Sequence, residues 1–297
     1  MKMNETKRFI GKFPASIIII IFFLFGLFMI IYAFLDLDAV KDLVKEDGAI
    51  ENMQAVFYLI GAAVWGFAIF MTSKVKGSQK RQFLFYILFL GLFLFFFFEE
   101  ISWGQRFFGY STPETLRDVN VQDEANVHNI GIENSMMWIH ILMALFVISV
   151  GIILPILKLG WKKADLFFDR LKLPIVNPDL IACFYMALVF YSNPGFHWYI
   201  SLMIIAVSLP TIIILSGKFR LFFSNFEYPF FQFSLVMIMG LLVIAININL
   251  DTAYRLNGNR AFEIRELFIA NSLFFFSAYE AYGAWKKKHN KGDIQIK

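Results

Sequence analysis

Long uninterrupted apolar runs, separated by short polar stretches, dominate the chain. Runs at about 13–35, 52–72, 82–98, 135–157, 179–192, 196–216, 229–249 and 266–285 predict eight transmembrane helices, since about 1.5 Å of rise per residue lets each full-length run cross a hydrocarbon core of roughly 30 Å. Strand-like alternation is absent, and a bilayer leaves helices as the way to satisfy the backbone internally. The expected fold is an all-α polytopic bundle forming one integral membrane domain over residues 1–297. Between the third and fourth runs lies a polar loop, 99–134. The run from Leu180 to Tyr191 is short and Pro210 interrupts its partner, so 179–216 reads either as two spans or as a re-entrant hairpin. No internal repeat is evident. The segment "GWKKADLFFDRLKLP" gathers Leu166, Phe167, Phe168 and Leu171 among basic neighbours, the pattern of a short helix lying on the membrane interface.

Composition agrees with this pattern. Hydrophobic residues are 59% and charged residues 17% of the 297, and the mean hydropathy is +0.63, too apolar for the surface of a soluble domain. The first run follows Lys2, Lys7, Arg8 and Lys12 and reaches Asp36 without a small-residue cleavage pattern, so it reads as a retained signal anchor. The single cysteine, Cys183, lies within a run and leaves the redox compartment unread.

Charge sets the expected sidedness. With the N-terminus cytoplasmic, about 20 of the 27 basic residues fall on the cytoplasmic side, as the positive-inside rule requires. Both termini are then cytoplasmic, in the inner membrane of a bacterial cell. The net charge of +4 is accounted for by these flanks, and nucleic acid is not an expected partner. The bilayer is, with a lipid or lipid-linked substrate; the sequence indicates no protein partner. Acidic residues gather on the opposite side, in 36–51, in 99–133 and at Asp251, Glu263 and Glu266.

Candidate chemistry follows from that outer face. The third run ends in "FFFFEEISWGQRFFGY", which places Glu99 and Glu100 at the outer boundary. Two adjacent glutamates at low dielectric need either a proton or a cation. If the helix continues, Glu99, Ser102 and Arg106 share a face and Trp103 sits at the interface. Arg106 then supplies the charge in a salt-bridged helix end, or the pair serves a metal or acid/base site. "STPE" is a helix start. A helix through "VQDEANVHNI" would bring Glu124 and His128 to one face, with amides such as Asn126 nearby. Glu100, Glu124 and His128 form a tentative ligand set for a divalent Zn, Mn or Fe ion, the cofactor such groups would hold. In "NGNRAFEIREL", Glu263 and Glu266 interleave with Arg260 and Arg265. These arginines either pair with the outer acids or hold an anionic substrate group. His140 and His197 fit packing roles or could face the site from below.

The motifs "EEISWGQRFFGYSTPETL", "NVQDEANVHN" and "EDGAIENMQAVFYLIGAA" resemble a group of uncharacterised bacterial multi-spanning membrane proteins carrying E-E-x-S-W-G-Q-R, T-P-E and N-x-Q-x-E-x-N-x-H-N patterns. The matching positions include Glu99, Glu100, Ser102, Trp103, Gln105, Arg106, Glu114, Glu124, Asn126 and His128. The resemblance spans about the first half of the chain and implies no activity. Seven-span ceramidase-like hydrolases require a paired H-x-x-x-H, which this sequence lacks. The reading favoured by the residues is an extracytoplasmic-face enzyme. In it Glu99, Glu100, Glu124 and His128 are catalytic or ligating, while Gln105, Arg106, Asn126, Arg260, Glu263, Arg265 and Glu266 bind substrate. The alternatives are a transporter or channel, against which the nearly bare midplane weighs, and a non-catalytic assembly subunit.

Overall fold

A computed structural model of the chain describes residues 6–36, 48–73, 80–117, 135–190, 227–248 and 262–292, with isolated positions at 39, 42–43, 125 and 206. Side chains are described within those ranges except at 6–16, 33–34, 106, 116, 135–141, 227–230, 246–248, 262 and 290–292. The described residues are helical, with no strand among them. In chain order the helices are α1 Thr6–Leu35, α2 Ala49–Ser73, α3 Lys80–Glu100, the single turns α4 Gln105–Phe108 and α5 Glu114–Arg117, α6 Ser135–Ile148, α7 Leu154–Gly160, α8 Lys162–Leu171, α9 Ile181–Val189, α10 Glu227–Ile248 and α11 Phe262–Gly292. A π-helical segment, Ser149–Ile153, joins α6 to α7, and 3-10 turns lie at Ser102–Gly104 and Pro178–Leu180.

Among the described residues, three helices are long and apolar enough to cross a membrane: Ala49–Ser73, Lys80–Glu100 and Leu142–Gly160. Apolar segments at Ile17–Tyr32, Pro178–Val189 and Phe231–Ala245 are shorter. The run at 196–216 lies outside the described residues apart from position 206. Its neighbour differs from an ordinary span. Every residue of α9 is buried, packed by α1, α10 and α11, and one 3-10 turn plus nine residues make roughly 20 Å. This is a core helix inside the bundle, which explains why no polar face interrupts its sequence.

The most extensive packing joins α2 to α11 and α2 to α3. Its centre is aromatic. Trp65 stacks on Phe89 at 4.9 Å and meets Phe276 edge-on at 5.5 Å, and Phe89 meets Phe276 at 5.4 Å. Gly61 lets α3 approach: a Cβ there would stand 2.3 Å from the Phe93 ring. Gly151, in the π segment, leaves comparable room for Phe184 of α9. Phe22 of α1 stacks on Phe268 of α11 at 4.6 Å, tying the first helix to the last.

α8 follows α7 directly, burying Ala164 and Phe168 and exposing Leu166 and Phe167 together with Lys163 and Arg170. An exposed face mixing apolar with basic side chains suits a headgroup layer, where long cationic chains reach outward.

Candidate functional site

α2 runs antiparallel to α3 and parallel to α11, so the N-termini of α2 and α11 meet the C-terminus of α3 at one end of the bundle. That end holds most of the buried ionisable side chains: Glu51, Glu99, Glu263 and Arg265 are each less than one-tenth exposed, while Gln54 and Ser102 are fully buried. Burial of so many polar groups costs several kcal/mol unless they are hydrogen-bonded to one another. Here they are cross-linked between helices.

The first link joins α2 to α11. Gln54 Nε2 donates to the backbone carbonyl of Glu263 at 2.9 Å and to its carboxylate Oε2 at 3.0 Å. One turn farther along α2, the buried Tyr58 packs its ring against Phe96 at 5.2 Å and Phe93 at 6.0 Å of α3. Arg265 Nη2 sits 2.5 Å from Glu266 Oε1. This buried arginine is thus engaged by its own acidic neighbour, the pairing alternative read from the sequence.

The second link closes the end of α3. The helix does not continue past Glu100. Ser102 (φ 47°), Trp103 (φ 54°) and Gly104 (φ 87°) follow in left-handed conformation, which costs roughly 1–2 kcal/mol for each non-glycine residue. Glu99 and Ser102 therefore share no helical face with Arg106, whose side chain lies outside the described residues. Several contacts offset that strain. Trp103 Nε1 donates to Glu99 Oε1 at 2.6 Å, a charge-assisted bond of about 1.5–3 kcal/mol. The indole stacks on Phe98 at 5.5 Å, Gly104 N–H donates to the Ile101 carbonyl at 2.9 Å, and the Tyr110 hydroxyl donates to the Trp103 carbonyl at 3.1 Å. Trp103 is partly exposed and also holds the buried glutamate.

Beyond the turn, Gln105 works as a latch. Its Nε2 donates to Thr112 Oγ1 at 3.0 Å and its Oε1 accepts from the Ala125 backbone N–H at 2.7 Å. Thr112 is buried, and the helix start predicted at "STPE" is present as α5, its Arg117 N–H bonded to the Pro113 carbonyl at 2.9 Å. Ala125 stands between Glu124 and Asn126 in sequence. Glu124, Asn126, His128 and Arg260 themselves, and the helix predicted through 121–130, lie outside the described residues, as does the side chain of His140.

The structure thus sets Glu263, Arg265 and Glu266, at the N-terminus of α11, at the same end of the bundle as Glu99, Glu100 and Gln105, at the close of α3. It adds Gln54 and Tyr58, which the sequence reading passed over. Their signal was present: Glu51, Gln54 and Tyr58 fall at i, i+3 and i+7, one stripe of a helix. Among the described residues no three His, Cys, Asp or Glu side chains form a metal-ligand group; two members of the tentative set, Glu124 and His128, are outside that search. At the other end of the same helices a smaller network joins Gln82 Nε2 to the Tyr86 hydroxyl at 2.7 Å and that hydroxyl to Glu280 Oε2 at 3.0 Å.

Comparison of the chain with protein-family models, with curated proteins and with solved structures finds no match.

Proposed function

We propose that this protein is a multi-pass enzyme of a bacterial cytoplasmic membrane, acting at the extracytoplasmic surface on the headgroup of a lipid or lipid-linked substrate. Both termini are cytoplasmic in this reading, because the basic loops alternate. The observation that supports it best is the buried polar cluster at one end of the bundle, where Gln54 of α2 bonds to Glu263 of α11 and the buried Glu99 lies at the close of α3. Carboxylates from separate helices gathered in a desolvated place are the parts of a general acid/base device. Glu100 and Glu266 exchange protons with the substrate, and Tyr58 relays or donates one. Gln54 and Glu263 fix the relation of α2 to α11, and Gln105 holds Ala125 through its backbone N–H. If a divalent metal takes part, Glu100, Glu124 and His128 are the groups that would hold it, and it would supply Lewis acidity.

Exposed rings surround this end of α3: Phe98, Trp103, Phe107, Phe108 and Tyr110. Such a belt belongs at headgroup depth and gives a lipid direct access. Transport is the weaker reading, because the stacked rings of Trp65, Phe89 and Phe276 fill the middle of the α2–α3–α11 packing.

The purified protein, reconstituted in vesicles of total bacterial polar lipid, should convert one lipid class to a product of altered headgroup mass. Tyr58→Phe should slow that conversion roughly 100-fold while leaving the yield of folded protein unchanged. An unaltered lipid profile after prolonged incubation of the folded wild type would remove the enzyme reading.

A further inference from the structure

Two of the helices long and apolar enough to cross a membrane have an end at α8. Only Trp161 separates its first residue, Lys162, from Gly160, the last residue of the span Leu142–Gly160. Near its other end, Arg81, the second residue of α3, donates from Nη1 to the Arg170 backbone carbonyl at 3.3 Å. That carbonyl belongs to the last turn, where a helix leaves acceptors open and a cation is favourable. α8 is thereby tied at both ends to the level at which two spans stop.

At that level α8 divides into three faces, because about 3.6 residues per turn sets positions three, four and seven apart on one stripe. Ala164 and Phe168 form the face buried against the protein. Lys162, Asp165 and Asp169 form the second, which holds both acids of the helix; Asp169 Oδ1 accepts from Lys158 Nζ of α7 at 3.2 Å. Lys163, Leu166, Phe167 and Arg170 form the third. All four are exposed, Leu166 and Phe167 by more than half, and the buried Phe168 braces Phe167, their rings meeting edge-on at 5.8 Å. Among the described residues neither Lys163 nor Arg170 forms an ion pair. A merely solvated helix surface gains by mixing its signs in pairs three or four apart. Here every acid is kept off the face that carries the exposed apolar side chains.

We infer that this third face docks on anionic phospholipid, with Lys163 and Arg170 holding phosphate oxygens of the headgroup while Leu166 and Phe167 enter the acyl boundary. Unopposed cations beside apolar side chains suit a negatively charged headgroup layer, whereas the paired second face suits water. The arginine fork and the lysine ammonium are both donors that phosphate oxygens accept from. A zwitterionic headgroup brings its own cation, which offsets the attraction.

The test uses the full-length chain with Cys183→Ala and Leu166→Cys, a bimane fluorophore on the new thiol, in nanodiscs of choline phospholipid mixed with phosphatidylglycerol. Brominated acyl chains placed on one lipid or the other quench the probe, and quenching against mole fraction gives the local preference between them. Both brominated lipids should quench, with the anionic one preferred roughly 25-fold, about fivefold for each of the two basic side chains. Lys163→Gln and Arg170→Gln should each lower the preference about fivefold and together remove it. Lys162→Gln, on the second face, should leave it unchanged. All three positions are exposed, and unfolding midpoints equal to that of the labelled parent show that the variants fold. Absence of quenching by either lipid would put the face in water and overturn the inference. Equal preference for the two lipids in the parent, or a preference undiminished in the double variant, would overturn it as well. A dimer in native mass spectrometry that shields the probe from both lipids and dissociates in the double variant would assign the face to a second copy of the chain instead.

Discussion

Trp103 does two jobs that its residue type alone does not reveal. Its ring is half-exposed against Phe98, and its indole N–H reaches the buried Glu99 at 2.6 Å. Trp103→Phe keeps the ring and removes the donor, leaving a buried carboxylate with one bond fewer. The expected cost is about 1–3 kcal/mol, read as a lower unfolding midpoint in detergent. Trp103→Ala should cost more, because the stacking contact goes as well. Gly104→Ala is the complementary probe: it forces a Cβ onto a residue at φ 87° and to within 3.0 Å of the Phe108 ring, and a drop of at least about 1 kcal/mol is expected. The glutamate pair was legible in the sequence because charge next to four phenylalanines is conspicuous. The left-handed turn after it was not. Ser102 and Trp103 carry no preference for positive φ, and Gly104 alone does not say that its two predecessors share its conformation. Gln54 was missed for the opposite reason: at the edge of an apolar run, an amide reads as a boundary residue until its partner on a distant helix is known.

Among the elements, the α2–α3 contact is decided by one missing side chain. Gly61 admits the Phe93 ring so closely that any Cβ must displace it. Gly61→Ala should therefore destabilise the protein by about 1–3 kcal/mol through overpacking. Phe93→Ala alone should also be destabilising, by cavity formation. Combined, the two changes should cost less than their sum, since the smaller side chain at 93 relieves the clash; unfolding midpoints of the four proteins measure this coupling. The long apolar helices were legible from run length. The role of α9 was not, because an apolar run of nine residues reads alike whether it faces lipid or lies buried among other helices. Its neighbours in space, α1, α10 and α11, come from both ends of the chain, and no local pattern encodes them. The amphipathic α8 was the reverse case, with basic and apolar positions alternating tightly enough to predict its existence.

At the scale of the molecule, sidedness decides what the acidic end can touch. Cys183 is the sole cysteine and is buried, so a Cys183→Ala background carries engineered thiols cleanly. Ser111→Cys, at an exposed position in the loop after α3, should react with a membrane-impermeant maleimide in intact cells. Lys163→Cys, on the exposed face of α8, should react only after permeabilisation. The reverse pattern would turn the acidic end toward the cytosol. Within the site, the central claim is that Glu100 and Glu266 act as one device. Its most direct test is the rate of headgroup conversion by Glu100→Gln, Glu266→Gln and the double variant in the same vesicles. Groups acting as a unit are non-additive, so each single change should slow the reaction roughly 100-fold and the double change should slow it no further. Wild-type rates in folded single variants, or a double variant whose loss multiplies the two single losses, would contradict a shared site.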